Sequence, residues 1–160
     1  MALATALTLK TSAELFADNA FTEALVERDY RLGPMILTVE DEPVCRGLLC
    51  SILTGHTQER TGYAEEALRL YAQTAPDVVF LDINLPDGNG LDVLKTIMQH
   101  DQLAYVVMIT ATSTHDNVKR ALELGARGFL SKPFTTARVK DCLFRWQEGL
   151  IASRKRKVIL

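Results

Sequence analysis

Asp82 closes an apolar run, Asp77-Val78-Val79-Phe80-Leu81-Asp82, and is followed at once by the turn-rich stretch Ile83-Asn84-Leu85-Pro86-Asp87-Gly88. A carboxylate at the end of a buried strand, where a loop begins, is open to ligands yet fixed on a rigid support. A second acidic cluster stands in the same kind of place, where Met35-Ile36-Leu37-Thr38-Val39 runs into Glu40-Asp41-Glu42-Pro43. Two further apolar runs end in Thr110 and in Lys132-Pro133. If these strands are parallel neighbours, their carboxyl ends share one rim, and acids, hydroxyl and amine converge there.

Glu40, Asp41 and Asp82 brought so close repel one another unless a cation sits among them. Oxygen-only, carboxylate-rich ligation with room for water favours Mg²⁺ over zinc or copper. Asp41 and Asp82 are the expected direct ligands, with Glu40 acting through water and the backbone carbonyl of Asn84 completing the set. A cation there lowers the repulsion that a phosphate meets on approaching a carboxylate nucleophile, so Asp82 is suited to attack phosphorus and hold the group as an acyl phosphate. Lys132 then supplies a charge-assisted contact and Thr110 a hydroxyl hydrogen bond to the phosphate oxygens.

The elements that must position these residues follow from periodicity. From Met35 onward, strand-like and helix-like patterns alternate, the signature of βαβ units around a parallel sheet. Strands are predicted near 35–40, 58–62, 77–82, 104–110 and 128–132, the second of them weak. Helices are predicted near 43–55, 64–74, 89–100, 114–125 and 135–152, the last with a stripe of Val139, Cys142, Leu143, Trp146 and Leu150. Pro43 opens a helix, Thr114 or Asp116 caps one, and Gly125 stops one. The expected fold is α/β: a flavodoxin-like, doubly wound, five-stranded parallel sheet in the order 2-1-3-4-5 with five flanking helices and an N-terminal helical extension. In that order strands one and three meet at the switch point, where Glu40, Asp41 and Asp82 lie.

With 160 residues and 48% hydrophobic content, the chain can bury one proper core. A net charge of −2 gives no nucleic-acid signature for the whole chain. The run Arg154-Lys155-Arg156-Lys157 reads as a solvated helix end. No apolar stretch reaches the roughly 18 to 20 residues that cross a bilayer, so a soluble cytoplasmic protein is expected. Cys45, Cys50 and Cys142 fall inside apolar helical patterns and read as small buried hydrophobes; His56, His100 and His115 lack metal-ligand spacing and read as surface or cap residues.

Gly33-Pro34 marks a boundary. The division is therefore a helical extension over 1–32, the main domain over 33–153 and a basic tail over 154–160. In the extension Thr11 and Glu14 are spaced as a capping box, and residues 11–31 are expected to form a helix carrying Leu15, Phe16, Phe21, Leu25 and Val26. It cannot form a core alone. Packing on the main domain, pairing with a second copy as a homodimer, and mobility are the alternatives.

Together these pieces resemble the receiver domain of two-component response regulators, the CheY-like family. The resemblance rests on Val39-Glu40-Asp41-Glu42-Pro43, Leu81-Asp82-Ile83-Asn84-Leu85-Pro86-Asp87-Gly88, Ile109-Thr110-Ala111 and Ser131-Lys132-Pro133-Phe134, and covers roughly 34–153. It implies that Asp82 is the phosphoacceptor, Glu40 and Asp41 the acidic pair, Lys132 the phosphate-binding lysine, and Thr110 and Phe129 the switch. It implies a sensor histidine kinase or histidine phosphotransfer protein as donor, and a downstream protein target on the face of helix four, strand five and helix five. No direct nucleic-acid contact and no membrane are implied. Glu40 departs from the family's usual aspartate, with a longer arm that still reaches metal-bound water. Gly62-Tyr63-Ala64-Glu65-Glu66 lacks the glycine usual just before the paired glutamates, and Asn84 and Thr112 hold positions that tune acyl-phosphate hydrolysis.

Three other readings bear on function. A phosphatase of the haloacid dehalogenase type needs a second acid two residues after the nucleophile, where Asn84 stands. A nucleotide or flavin binder needs more than the lone Gly88-Asn89-Gly90, which reads as a turn and a helix start. The chain can also be the receiver of a larger regulator whose output domain is absent from this sequence.

Overall fold

Runs rich in β-branched and large apolar residues form the strands because only a pleated ladder buries them on both sides. The computed structural model describes residues 10–159; the first nine residues of the expected extension, and Leu160, lie outside the described residues. Strands β1 (Met35–Val39), β2 (Thr57–Thr61), β3 (Val78–Asp82), β6 (Val106–Thr110) and β7 (Gly128–Ser131) form one parallel sheet in the order β2-β1-β3-β6-β7. This is the expected 2-1-3-4-5 order, because β4 (Asn84–Leu85) and β5 (Gly88–Asn89) are only the arms of a small antiparallel hairpin. Central β3 and β6 are buried along their whole length, whereas edge strand β2, with the sequence Thr-Gln-Glu-Arg-Thr, is largely open. Its polar composition accounts for the weak strand signal.

The two-residue alternation of each strand divides the core. Leu37, Val39, Val79, Leu81, Val106 and Met108 face α4 (Ala64–Thr74), α5 (Gly90–His100) and α6 (His115–Glu123), meeting Tyr71, Leu94, Ile97 and Ala121. Ile36, Val78, Phe80, Val107, Ile109 and Leu130 face α3 (Pro43–Ile52) and α7 (Thr136–Ile159), meeting Leu49, Leu53, Phe134 and Val139. Thr114 caps α6 and Gly125, at φ 105°, ends it in a conformation that side chains resist. Asn89 caps α5, so the glycine pair around it is a turn and helix start, with no cradle for a phosphate.

Three expectations need correction. The N-terminal extension is two helices, α1 (Ser12–Ala17) and α2 (Asn19–Tyr30), because Asp18 takes an extended conformation and its carboxylate caps α2 at Ala20 N. The Thr11/Glu14 capping box does open α1. The last helix passes its expected end near 152 and runs to Ile159, so Arg154 to Lys157 lie on the exposed end of α7 and not in a separate tail. Its cations sit where the helix dipole favours them. The three cysteines are free and only partly buried, as α3 and α7 each leave a flank open.

The extension packs on the domain of the same chain. Phe16, Phe21 and Ala24 are buried against α4, with Phe16 edge-on to Phe21 at 4.9 Å and stacked on His100 at 4.3 Å. Arg28 pairs with Asp101 at 2.7 Å, and Arg31 with Asp77 at 3.1 Å. Among the described residues no helix is long and apolar enough to cross a membrane.

Candidate functional site

Strand parity sets what meets at the carboxyl rim. Glu40, Asp82 and Lys132 extend the same alternating series as Ile36, Phe80 and Leu130, toward α3 and α7, whereas Thr110 and Phe129 share the parity of Met108, toward α5 and α6. Glu40 continues the ladder beyond β1 by donating its N–H to Thr61 O at 2.9 Å. Lys132 does the same beyond β7, to Thr110 O at 2.8 Å. Backbone pairing thus fixes both charged side chains.

Asp82 is 3% exposed and Glu40 fully buried. Lys132 Nζ lies 2.7 Å from Asp82 Oδ2 and 2.6 Å from Glu40 Oε2. The other oxygens are also engaged: Asp82 Oδ1 accepts Asn84 N–H at 3.1 Å and Glu40 Oε1 accepts Glu42 N–H at 3.0 Å. Asp41 stands exposed at the mouth, and one carboxylate oxygen each of Glu40, Asp41 and Asp82 lie within 4.8 Å of one another. Such a set fits a hard divalent cation: all donors are oxygens, one member is exposed, and Glu40 Oε2 is buried with no donor aligned on it beyond the ammonium contact.

Electrostatics agree. Burial pushes the Glu40 carboxyl up, with the Asp82 charge adding to it, and Lys132 and the Glu42 N–H only partly oppose the rise. Burial works against the Lys132 charge, yet the Asp82 and Glu40 carboxylates outweigh it and hold the ammonium above its ordinary range. Cys45, on the first turn of α3, is pushed up to about 12 by burial and then by Glu40. Its thiol stays protonated and is no nucleophile.

Thr110 is fully buried, and its hydroxyl is turned into its own loop, accepting Thr112 N–H at 3.1 Å and donating to Thr112 O at 3.2 Å. It follows Ile109, the register partner of Asp82. Phe129 is half-buried beside Met108, its register partner. The structure therefore brings Glu40, Asp41, Asp82 and Lys132 together, seats Thr110 next to them with its hydroxyl elsewhere, and keeps Phe129 below. Asn84 reaches Asp82 through its backbone N–H.

Two contributors escaped the sequence reading. Arg46 donates to Glu40 O at 2.7 Å and Asp41 O at 3.2 Å, tying the acidic loop to the first turn of α3; an arginine five and six residues on is the local signal. Asp87 donates nothing to the site but caps α4 from across the loop, accepting Ala64 N–H at 2.7 Å and Glu65 N–H at 3.0 Å. Its signal is the lack of a capping side chain at Tyr63. Gly90 closes the loop so tightly that a Cβ there would sit 1.9 Å from Asp82 O, so only glycine fits. Asp41, Pro43, Arg46, Tyr63, Glu66 and Pro86 line an open groove of about 600 Å³ that gives solvent access to the mouth.

Residues 36–144 match the response regulator receiver domain. Among curated proteins the chain is similar to the chemotaxis protein CheY of Thermotoga maritima, 35% identical over 115 residues, 70% of this chain and 96% of that one. It is also similar to the response regulator PilR of Pseudomonas aeruginosa, 39% identical over 66% of this chain and 24% of PilR. Among solved structures NtrX from Brucella abortus superposes with a TM-score of 0.71 at 32% identity, over 80% of this chain and 29% of NtrX. The four motifs at the strand ends, the β2-β1-β3-β6-β7 sheet and these likenesses agree: the chain belongs to the response regulator receiver domain family of two-component signalling proteins.

Proposed function

We propose that Asp82 takes a phosphoryl group from a phosphohistidine of a sensor kinase or histidine phosphotransfer protein. An Asp82 oxygen attacks phosphorus in line, the P–N bond to the donor imidazole breaks, and the phosphoryl group is left on Asp82 as an acyl phosphate. Asp41 and Asp82, with the Asn84 carbonyl and with Glu40 through water, would hold Mg²⁺, which when bound offsets charge on the transferring oxygens. Lys132 moves from its carboxylate contacts onto one phosphate oxygen. Thr110 turns its hydroxyl away from Thr112 to bind another. The space it leaves accepts the Phe129 ring, and the face of α6, β7 and α7 is remodelled for a downstream protein. The chain also speeds its own phosphorylation and slow dephosphorylation. Partners of this kind place it in the cytoplasm, with no direct nucleic-acid contact.

The observation that carries this reading is the buried Asp82 carboxylate held between a lysine and two further acids. Asp87, the other acid of the loop, is committed to capping α4, so it does not stand ready as the general acid that a phosphatase requires. Incubation with Mg²⁺ and acetyl phosphate followed by intact-mass analysis tests the proposal. Wild type gains one phosphoryl group and Asp82→Ala none; labelling that persists in the variant moves the acceptor elsewhere.

A further inference from the structure

Helix α4 begins without a cap of its own. The Tyr63 side chain makes no capping hydrogen bond, its one oxygen lying at the far end of the ring, yet the first N–H groups of any helix lack intrahelical partners. Asp87 serves two of them from 22 and 23 residues away, at 3.0 and 2.7 Å. Gly88 reinforces the junction, since a Cβ built there would lie 3.2 Å from the Ala64 methyl. The same hairpin starts at Asn84, whose N–H holds Asp82 Oδ1, and closes where Gly90 N–H meets Ile83 O at 2.7 Å. One small rigid body thus touches the acceptor carboxylate at one end and α4 at the other.

The far end of α4 is gripped by the extension. The Arg31 guanidinium donates to Thr74 O and, at 2.9 Å, to Ala75 O, the last carbonyls of the helix, and pairs with Asp77. Between the two ends, Tyr71 packs against Phe16 and Phe21 and donates to Asp101 at 2.7 Å, the carboxylate that Arg28 also holds. These contacts of the extension with the receiver fall on α4, α5 or the turns that end them.

We propose that Asp87 is a positioning residue that links the phosphorylation state of Asp82 to the docking of α1 and α2, with α4 as the rod between them. The inference rests on the reading of Asp82 as phosphoacceptor. A phosphoryl group on Asp82 redirects the Asn84 N–H, the hairpin moves as a unit because its two strands are paired, and α4 follows because releasing Asp87 would orphan two N–H groups. Linkage makes the effect reciprocal: whatever loosens the extension also shifts the phosphorylation equilibrium.

The test uses the full chain and amide hydrogen exchange across 19–30, which reports the free energy of local opening. Wild type and Asp87→Asn are compared with and without Mg²⁺ plus beryllofluoride as phosphoryl mimic, and acetyl phosphate labelling is followed in parallel by mass. Loading wild type should change exchange in α2 by roughly threefold or more, and Asp87→Asn should at least halve that change. A cap that only stabilised α4 would alter exchange equally in both states and leave the difference intact. A change in α2 below threefold while Asp82 is labelled overturns the linkage, and a full change that survives in Asp87→Asn overturns the role of Asp87. No labelling of wild type at all would instead sink the phosphoacceptor reading. Arg31→Ala gives the reciprocal arm: the beryllofluoride concentration for half-saturation, with Mg²⁺ in excess, should shift about threefold, and an unshifted value counts against the proposal.

Discussion

The two rims of the sheet both bury acids, and they treat them differently. At the amino rim Asp77 and Asp101 each have a cation and a hydrogen-bond donor of their own. Asp77 holds Arg31 and Met35 N–H, and Asp101 holds Arg28, the Tyr71 hydroxyl and Leu103 N–H. At the carboxyl rim Glu40 and Asp82 share one ammonium, that of Lys132, and Asp41 stands beside them with no cation in contact among the described residues. A closed network is stable as it stands, whereas a rim with surplus negative charge is stabilised by what it binds. How far each acid has a cation and donors of its own, and not burial, separates the acids of the two rims here.

The sharpest way to break that contrast is to neutralise one acid on each rim. Asp101→Ala strands the Arg28 charge, 16% exposed, and the Tyr71 hydroxyl, and should lower unfolding free energy by about 3 to 5 kcal/mol in urea titration. Asp82→Asn removes one of three like charges while Lys132 keeps Glu40, so stability should hold or rise by on the order of 1 kcal/mol. Losses of similar size at both sites would erase the distinction. Next in size is the response to magnesium. A concentration about 100 times Kd should stabilise wild type by about 2.7 kcal/mol, seen as a rise in Tm, and chelation should reverse it. Asp41→Asn should respond far less; an equal response would place the cation elsewhere.

Tyr71→Phe probes the amino rim more gently. It removes one donor to a charged acceptor and should cost roughly 1.5 kcal/mol. Burial, and then the Asp101 charge, holds the Tyr71 phenol well above its ordinary value of 10.0. Because the folded value is raised, its contribution is complete below the unfolded value and is lost as pH climbs from there through the folded one. Wild type should therefore lose its advantage over Tyr71→Phe in the alkaline range, and a constant gap between the two curves would show that the phenol does not titrate on unfolding.

What the sequence made legible follows from how local each signal is. Glu40, Asp82, Thr110 and Lys132 end strands whose apolar runs announce them, so strand order and register are enough to bring them together. The Thr11/Glu14 box is likewise a local pattern. The break at Asp18 was hidden because the apolar spacing of Leu15, Phe16, Phe21 and Leu25 continues across it, while one carboxylate reaching Ala20 N–H is enough to end one helix and start another. The grip of Arg28 on Asp101 spans 73 residues and that of Asp87 on Glu65 spans 22. No spacing rule reports such pairs. The direction of the Thr110 hydroxyl was equally out of reach, since a rotamer answers to its immediate partners and Thr112 supplies them.

Asp87 offers the smallest test and the most discriminating, because it is an acid of the carboxyl rim that is satisfied in the manner of the amino rim. If satisfaction is what matters, Asp87→Ala should behave as a lost cap and cost about 1 kcal/mol at neutral pH, with Asp87→Asn between it and wild type. Slight burial pushes the Asp87 carboxyl up, but the N–H groups of Glu65 and Ala64 outweigh that and hold it below its ordinary 3.8. A depressed folded value means that the contribution is present above the unfolded value and disappears as pH falls through the folded one. Urea curves for wild type and Asp87→Ala should thus converge below about pH 3.8 as the carboxylate takes up its proton. Curves that stay parallel into acid would show that the ionised form does no capping, and Asp87 would then count with the surplus negative charge of its rim.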